Sequence, residues 1–304
     1  MKNDICTLIF SKNRPLQLDL LLNSFYLQCR QPTETDIYIV YNYTDKEYET
    51  LYKKLIQEQE EKERNNIQFI DENCYRSFQS SFSPRILNER YEYIMFLVDD
   101  NIFTNNFSLM SIKDLLFYNP DVLGFSLRLG ENTNYCYPLK IKQTIPNKTN
   151  YTGIISFNDF LSQKTLTYFA FDWTKACLDF AYALEISSSI YRIKDMFFLL
   201  RDLKYKNPNE LEAQLYVNLW RFYKKSKLLS YNISVAFCAP MNKVQSVAPN
   251  NRFSGINIYS PENMLKMYKN GFRIDPERFS GFVSNGCHQE VELYTLEDFE
   301  KYGR

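Results

Sequence analysis

The first hundred residues switch regularly between two hydrophobic periods. Residues 5–11, "ICTLIFS", are an apolar run of strand length bounded by the polar turn "KNRP". "LQLDLLLNSFYLQ" then carries apolar residues at helical spacing, with Asn13 as a candidate N-cap and Pro15 near the first helical position. A second strand is predicted over residues 35–42, "TDIYIVYN". The following "KEYETLYKKLIQEQEEKER" places Tyr48, Leu51, Tyr52 and Leu55 on one face, so its charge run reads as the solvated side of a helix. "NIQFID" (66–71) is a third short strand, "SPRILNERYE" a helix, and "YIMFLV" (93–98) a fourth strand. Strands alternating with helices predict a parallel sheet in an α/β layout, whose ligands bind beyond the carboxyl ends of the strands.

The second half is less regular. "DVLGFSLRLG", "TYFAFDW" and "AYALEISSSIYR" read as strands, and residues 140–151 as a mobile loop. "IKDMFFLLRDLKY" is helical. "NELEAQLYVNLWRFYKKS" is a stronger helix, with Leu211, Leu215, Leu219 and Phe222 near one face. "SPENMLKMYKNG" is punctuated as a helix by Ser260, Pro261 and Gly271. No internal repeat breaks the chain, so a single domain with a mixed sheet and an irregular C-terminal third is expected.

Composition then narrows the function classes. Of 304 residues, 45% are hydrophobic and 16% aromatic, enough for a sizeable core. Lys plus Arg equals Asp plus Glu at 36 each, which removes the electrostatic footprint of a nucleic-acid binder. The seven cysteines are scattered without a CxxC pair, so neither a disulfide framework nor a cysteine zinc site fits. The N-terminus lacks a signal-peptide pattern and no apolar stretch is long enough to span a bilayer, which predicts a cytoplasmic protein.

Chemistry concentrates where the fourth strand ends, in "FLVDDNIF". Asp99 and Asp100 repel each other unless a cation stabilises them, and Mg²⁺ or Mn²⁺ takes one or two carboxylates together with substrate phosphates. The plainer alternative is a solvated loop start. A dehalogenase-type phosphatase needs a second aspartate where Asn101 stands. A phosphate-loop NTPase or a dinucleotide fold needs a glycine-rich turn that "SKNRP" does not supply.

The segments "TLIFSKNRPLQLDLLLNSF", "DIYIVYNYTD" and "FLVDDNIF" together resemble the nucleotide-sugar-dependent glycosyltransferases of the GT-A fold, similar to family 2. The resemblance covers roughly residues 6–107. It implies a Rossmann-like mixed sheet flanked by helices, with a nucleotide-sugar-binding half over 1–130 and an acceptor-side half over 131–304. It further implies that Asp100 ligates Mn²⁺ or Mg²⁺ and that Asp99 approaches ribose or metal. Ser11, Asn13 and Arg14, with Asn42 and Asp45, would surround base and ribose of a nucleoside diphosphate sugar. Asn101 departs from the family's acid-x-acid pattern.

Inverting relatives place a general base well downstream, near a helix start. Glu212 in "NPNELEAQL" is the leading candidate beside Glu210; Asp172 and Asp179, flanking Trp173, compete with it. His288, the only histidine, is a candidate for the metal shell or the diphosphate, against a purely structural role. Arg192, Lys243 and Arg252 are candidates to neutralise phosphate, against ordinary surface charge. Trp173 either stacks on an acceptor sugar or packs in the core. The function expected is metal-dependent transfer of a sugar to a glycan or lipid-linked saccharide, with the inversion that the family resemblance implies. A peripheral contact with the inner face of a membrane would suit the second acceptor, although no basic amphipathic helix stands out. The alternatives are a non-catalytic glycan-binding protein keeping the fold and a sugar nucleotidyltransferase.

Overall fold

The computed structural model describes residues 3–87, 91–158, 163–245 and 254–303. The first third reads β1 (Ile5–Lys12), α1 (Pro15–Gln28), β2 (Thr35–Asn42), α2 (Lys46–Glu61), β3 (Ile67–Asp71), α3 (Phe78–Ile86) and β4 (Tyr93–Val98). Then follow β5 (Asn101–Phe103), α4 (Leu109–Tyr118), β6 (Val122–Ser126), and the short β7 (Tyr135–Cys136) and β8 (Ile141–Lys142). A long hairpin comes next, β9 (Lys148–Asn158) and β10 (Gln163–Asp172), and then β11 (Ser189–Arg192). The chain continues through α5 (Ile193–Asp202), α6 (Pro208–Val217), β12 (Lys227–Tyr231), β13 (Ala236–Cys238), α7 (Pro261–Lys269) and α8 (Leu296–Tyr302).

Nine strands form one mixed sheet in the order β3-β2-β1-β4-β11-β6-β12-β10-β9. The four strands anticipated from the first third are parallel. The other half is not: β11 lies antiparallel between β4 and β6, and β10 runs antiparallel to both β12 and β9. Alternation along each strand divides the core between two faces. In β1, Ile5 and Ile9 pack with α1, α2, α4 and α7, while Cys6, Leu8 and Phe10 pack with α3, α5 and α6. The result is a three-layer sandwich, as expected for an α/β fold of this kind.

Three local expectations are corrected. The segment 140–151 is not all loop, because β9 begins at Lys148 and pairs with β10. "AYALEISSSIYR" contributes only the four strand residues of β11. The helix in "NELEAQLYVNLWRFYKKS" stops at Val217, and a 3₁₀ stretch, Leu219–Lys225, continues it. Asn218 stands at the joint: its side chain donates to Gln214 O at 2.8 Å and competes with the helical ladder.

Candidate active site

β1 and β4 are in register from Ile5 with Tyr93 to Phe10 with Val98, so both strands end at one edge of the sheet. There the Asp99 N–H donates to Phe10 O at 3.1 Å, and the Lys12 N–H donates back to Asp99 Oδ2 at 3.0 Å. Asn101 does not stand in for a third acid. Its Oδ1 accepts from the Val98 N–H at 2.8 Å, and its amide donates to Cys238 Sγ at 3.1 Å, clamping the turn from beneath. Asp100 O accepts from the Ala239 N–H at 2.8 Å. The acidic tip is therefore stitched to both β1 and the segment after β13.

Arg14 faces these acids. Its Nη1 donates to Asp99 Oδ1 at 2.9 Å and to Asp100 Oδ2 at 3.3 Å. Its Nε and Nη2 donate to Asn242 Oδ1 and O at 2.8 and 2.6 Å. Asn13 is not the helix cap; Arg14 takes that position. Asn13 adopts φ 54°, a left-handed backbone that asparagine tolerates well, and is held by reciprocal hydrogen bonds with Thr44 at 2.9 and 3.1 Å.

A cavity of about 490 Å³ opens over this edge. Phe10, Val40 and Phe78 supply an apolar wall, with Ser11, Asn42 and Glu72 beside it. Arg14, Asp99 and Asp100 line it, as do Lys12, Lys206, Lys243 and His288. Asn207, Pro208, Asn209 and Glu212 bring the first turns of α6 to the cavity as well. A concave site with convergent polar groups and one apolar wall is of ligand-binding size and character.

Burial shapes the titration of three groups. It pushes the Asp100 carboxyl up to about 6; Arg14 opposes this and Asp99 reinforces it. Burial likewise raises Glu212 to about 7, opposed by Arg128 and reinforced by Glu185. Glu212 Oε1 accepts from the Ile186 N–H at 3.4 Å. Burial, with the positive charge of Arg128, holds His288 down at about 3, so its ring is neutral at physiological pH. The Nδ1 of that ring is buried with no hydrogen-bond partner. Cys238 pairs with Asn101 on one side and with His288 on the other. The histidine backbone thus lies two strand spacings, roughly 9.5 Å, from that of Asn101.

The structure gathers Ser11, Arg14, Asn42, Asp99, Asp100, Glu212 and His288 around one cavity. Asn13 and Asp45 do not line it: Asp45 caps α2, accepting from the Glu47 and Tyr48 N–H groups at 2.9 and 3.2 Å. Arg192 cannot neutralise a phosphate there. It pairs with Tyr93 at the start of β4, about 16 Å of strand from Val98. Its guanidinium binds Leu116 O and Asn119 O (2.7 Å) at the end of α4 and Val122 O at 2.7 Å at the start of β6. Asp179 is buried outside the cavity, accepting from Gln143 Nε2 at 3.0 Å and from Cys136 Sγ. Glu210 closes the cap of α6, with Lys206 N–H donating to it at 2.9 Å. Trp173 is 3% exposed and donates to Lys225 O at 2.8 Å, a core position. Arg252 lies outside the described residues.

Sequence reasoning passed over Lys206, Asn207, Asn209 and Asn242. The first three share the turn that caps α6, a signal legible in "KNPNE"; Asn242 carried none, because its partner Arg14 lies 228 residues away.

Among the described residues no group of three or more His, Cys, Asp or Glu side chains is arranged to hold a metal ion by itself. Two lining groups have the chemistry to contribute to one. A buried carboxylate and a neutral imidazole with an unpartnered nitrogen line the same cavity, and Mg²⁺ or Mn²⁺ commonly completes such a shell with substrate phosphates.

No family model matches the chain. It is 25% identical over 234 residues to the bifunctional glycosyltransferase pgtA of Dictyostelium discoideum, covering 69% of this chain and 28% of that protein. The resemblance to glycosyltransferases carried by the first third thus has a relative that extends well beyond it. The chain spans under a third of that relative's length. Among solved structures, S. aureus TarS 1-349 in complex with UDP is 15% identical over 92% of this chain and 68% of that one, with a TM-score of 0.41. The mannosyltransferase PcManGT from Pyrobaculum calidifontis, in complex with GDP-Man and Mn²⁺, is 12% identical over 45% and 42%, with a TM-score of 0.33. Scores this low do not place individual site residues.

Proposed function

We propose that this protein is a glycosyltransferase that takes a sugar from a nucleoside diphosphate sugar and passes it to a glycan or lipid-linked saccharide. The observation that carries the reading is the cavity at the ends of β1 and β4, where an apolar wall, paired acids and basic groups converge. Phe10, Val40 and Phe78 would receive the base, with Asn42 and Glu72 at its polar edge. Lys12, Lys206 and Lys243 line the same cavity as the acids and would help to balance a diphosphate.

Asp100 and His288 are the residues we assign to a divalent cation. When bound, that ion stabilises the negative charge developing on the leaving diphosphate, an effect worth several kcal/mol. The remaining chemistry belongs to the chain. Glu212, which lines the same cavity as the acids, would take the proton of the acceptor hydroxyl. The hydroxyl oxygen forms a bond to the anomeric carbon as the bond to the diphosphate breaks, and the diphosphate leaves with the electron pair. A carboxyl titrating near 7 is matched to that task, because it is a stronger base than an ordinary glutamate yet still ionised in useful fraction. An attack from the face opposite the leaving group inverts the anomeric centre.

A lipid-linked acceptor is favoured by a separate feature. Tyr216, Val217, Trp220 and Tyr223 are 53–64% exposed, and Arg221 stacks on both Trp220 and Phe198. The 3₁₀ period of three turns Leu219 and Phe222 inward and Trp220 and Tyr223 outward. Four cations, Arg221, Lys224, Lys225 and Lys227, follow one another here in sequence; Lys225 is paired with Asp195 and Lys227 with Asp121, so Arg221 and Lys224 are the ones that would face a membrane. Aromatics mixed with cations suit the headgroup layer of an anionic membrane. No helix among the described residues is long and apolar enough to cross one.

Thermal unfolding with UDP or GDP and Mn²⁺ tests the central reading. Stabilisation by a nucleoside diphosphate is expected and should vanish in Asp100→Ala; no stabilisation by either nucleotide would remove the donor from the cavity. Donor binding without hydrolysis or transfer would favour the non-catalytic alternative.

A further inference from the structure

Asp99 has both carboxylate oxygens engaged by the protein itself. Oδ2 takes the Lys12 N–H at 3.0 Å and Oδ1 takes Arg14 Nη1 at 2.9 Å. Asp100 is held by Arg14 at the longer 3.3 Å. The guanidinium is 11% exposed, and its other edge is fixed by Asn242, whose amide is fixed in turn by Tyr259 O at 2.9 Å. Its backbone is equally constrained: the Arg14 N–H donates to the Tyr52 hydroxyl at 3.2 Å, next to the left-handed Asn13. Arg14 is thus aimed at the acids by two distant parts of the chain, Tyr52 and Asn242. A surface arginine meeting a carboxylate by chance would have no such support.

We propose that Arg14 is a resident counter-cation of the strand-end acids, positioned by Asp99, and that it makes divalent-cation binding at Asp100 conditional on a diphosphate. The inference rests on the donor reading above and adds a control to it. Two carboxylates and one guanidinium leave the tip with a formal charge of −1. A divalent cation arriving alone at Asp100 meets the guanidinium within a few ångströms, and at that separation like charges interact strongly. A diphosphate supplies anionic oxygens to both cations at once, so each ligand improves the affinity for the other, and by the same factor. The device keeps the site from holding a metal ion idly and ties its loading to the substrate. Asp99, on this view, is a positioning residue; Asp100 is the acid left for the cation.

Electron paramagnetic resonance of Mn²⁺ with the intact protein reads this without any turnover. Wild type should bind Mn²⁺ weakly by itself and more tightly with UDP or GDP present. Arg14→Gln should bind Mn²⁺ alone about tenfold more tightly or better, with a smaller gain from nucleotide. Arg14→Lys, which keeps the charge, should stay near wild type, and Asp100→Asn should abolish binding in either background. Circular dichroism checks the fold of each variant first. An Arg14→Gln protein with unchanged or weaker Mn²⁺ affinity overturns the proposal, and so does an Arg14→Lys protein that behaves like Arg14→Gln. If neither nucleotide alters Mn²⁺ binding to wild type, the donor reading and the coupling fall together. The comparison of variants with Mn²⁺ alone then still decides whether Arg14 opposes the cation.

Discussion

Replacing Glu212 by glutamine should separate stability from chemistry. The carboxyl moves from its ordinary 4.5 to about 7 because folding buries it, with Arg128 offsetting part of that and Glu185 adding to it. The folded chain therefore holds a proton on this group more tightly than the unfolded chain does. As pH rises from 4.5 to about 7, stability is lost, and above 7 the penalty for an ionised Glu212 is complete. A difference of that size corresponds to an upper bound of about 3 kcal/mol. The side chain faces an open cavity, and solvent screening reduces this to roughly 1–2 kcal/mol. Glu212→Gln carries no charge and escapes the penalty. Urea unfolding of both proteins at pH 5 and pH 8 should show the variant gaining about 1–2 kcal/mol on wild type between the two. Donor hydrolysis, by contrast, should fall by about 10² to 10⁴ in kcat, with nucleotide affinity unchanged. In wild type that rate should rise with pH through about 7, as the base loses its proton. Parallel pH profiles of stability in the two proteins would show that Glu212 is not buried as described, and an unaltered hydrolysis rate would remove it as the base.

Other expectations follow from the same geometry. Asn101→Ala leaves the Val98 N–H without its acceptor and should lower stability by about 1–3 kcal/mol in urea unfolding; Asn101→Asp keeps that acceptor but loses the donation to Cys238 Sγ and adds a negative charge beside Asp99 and Asp100, so it should not restore wild-type stability. Arg192→Met strips the carbonyls at the end of α4 and the start of β6 of their donors and should cost a similar amount, about 1–3 kcal/mol, yet leave nucleotide binding intact by calorimetry. Trp173 is buried and Trp220 is 59% exposed, so a blue shift of tryptophan emission on adding vesicles reports Trp220. That shift should appear with anionic but not neutral vesicles and disappear in Trp220→Ser; no shift with either would remove the membrane contact.

The alternating periods of the first hundred residues determined much of this protein by themselves. Apolar runs of strand length and one-sided helices report interactions within about ten residues, and four parallel strands with their helices follow from them. The acids at the end of β4 were legible for the same reason, since a buried run that stops in two carboxylates is a local anomaly. Tertiary packing decided the rest. β11 inserts antiparallel beside β4, and that choice sends Arg192 to the opposite end of the strand from the cavity whose phosphate it was expected to neutralise. Arg14 meets Asn242, and His288 meets Cys238, across separations no periodicity encodes. Glu212, at a helix start, led Asp179 as the candidate base, but the sequence could not place either acid in space. Folding turns the first toward the cavity and closes the second in a hydrogen-bonded pocket with Gln143. Charge and burial are properties of the assembled environment, and a carboxylate acquires its chemistry there.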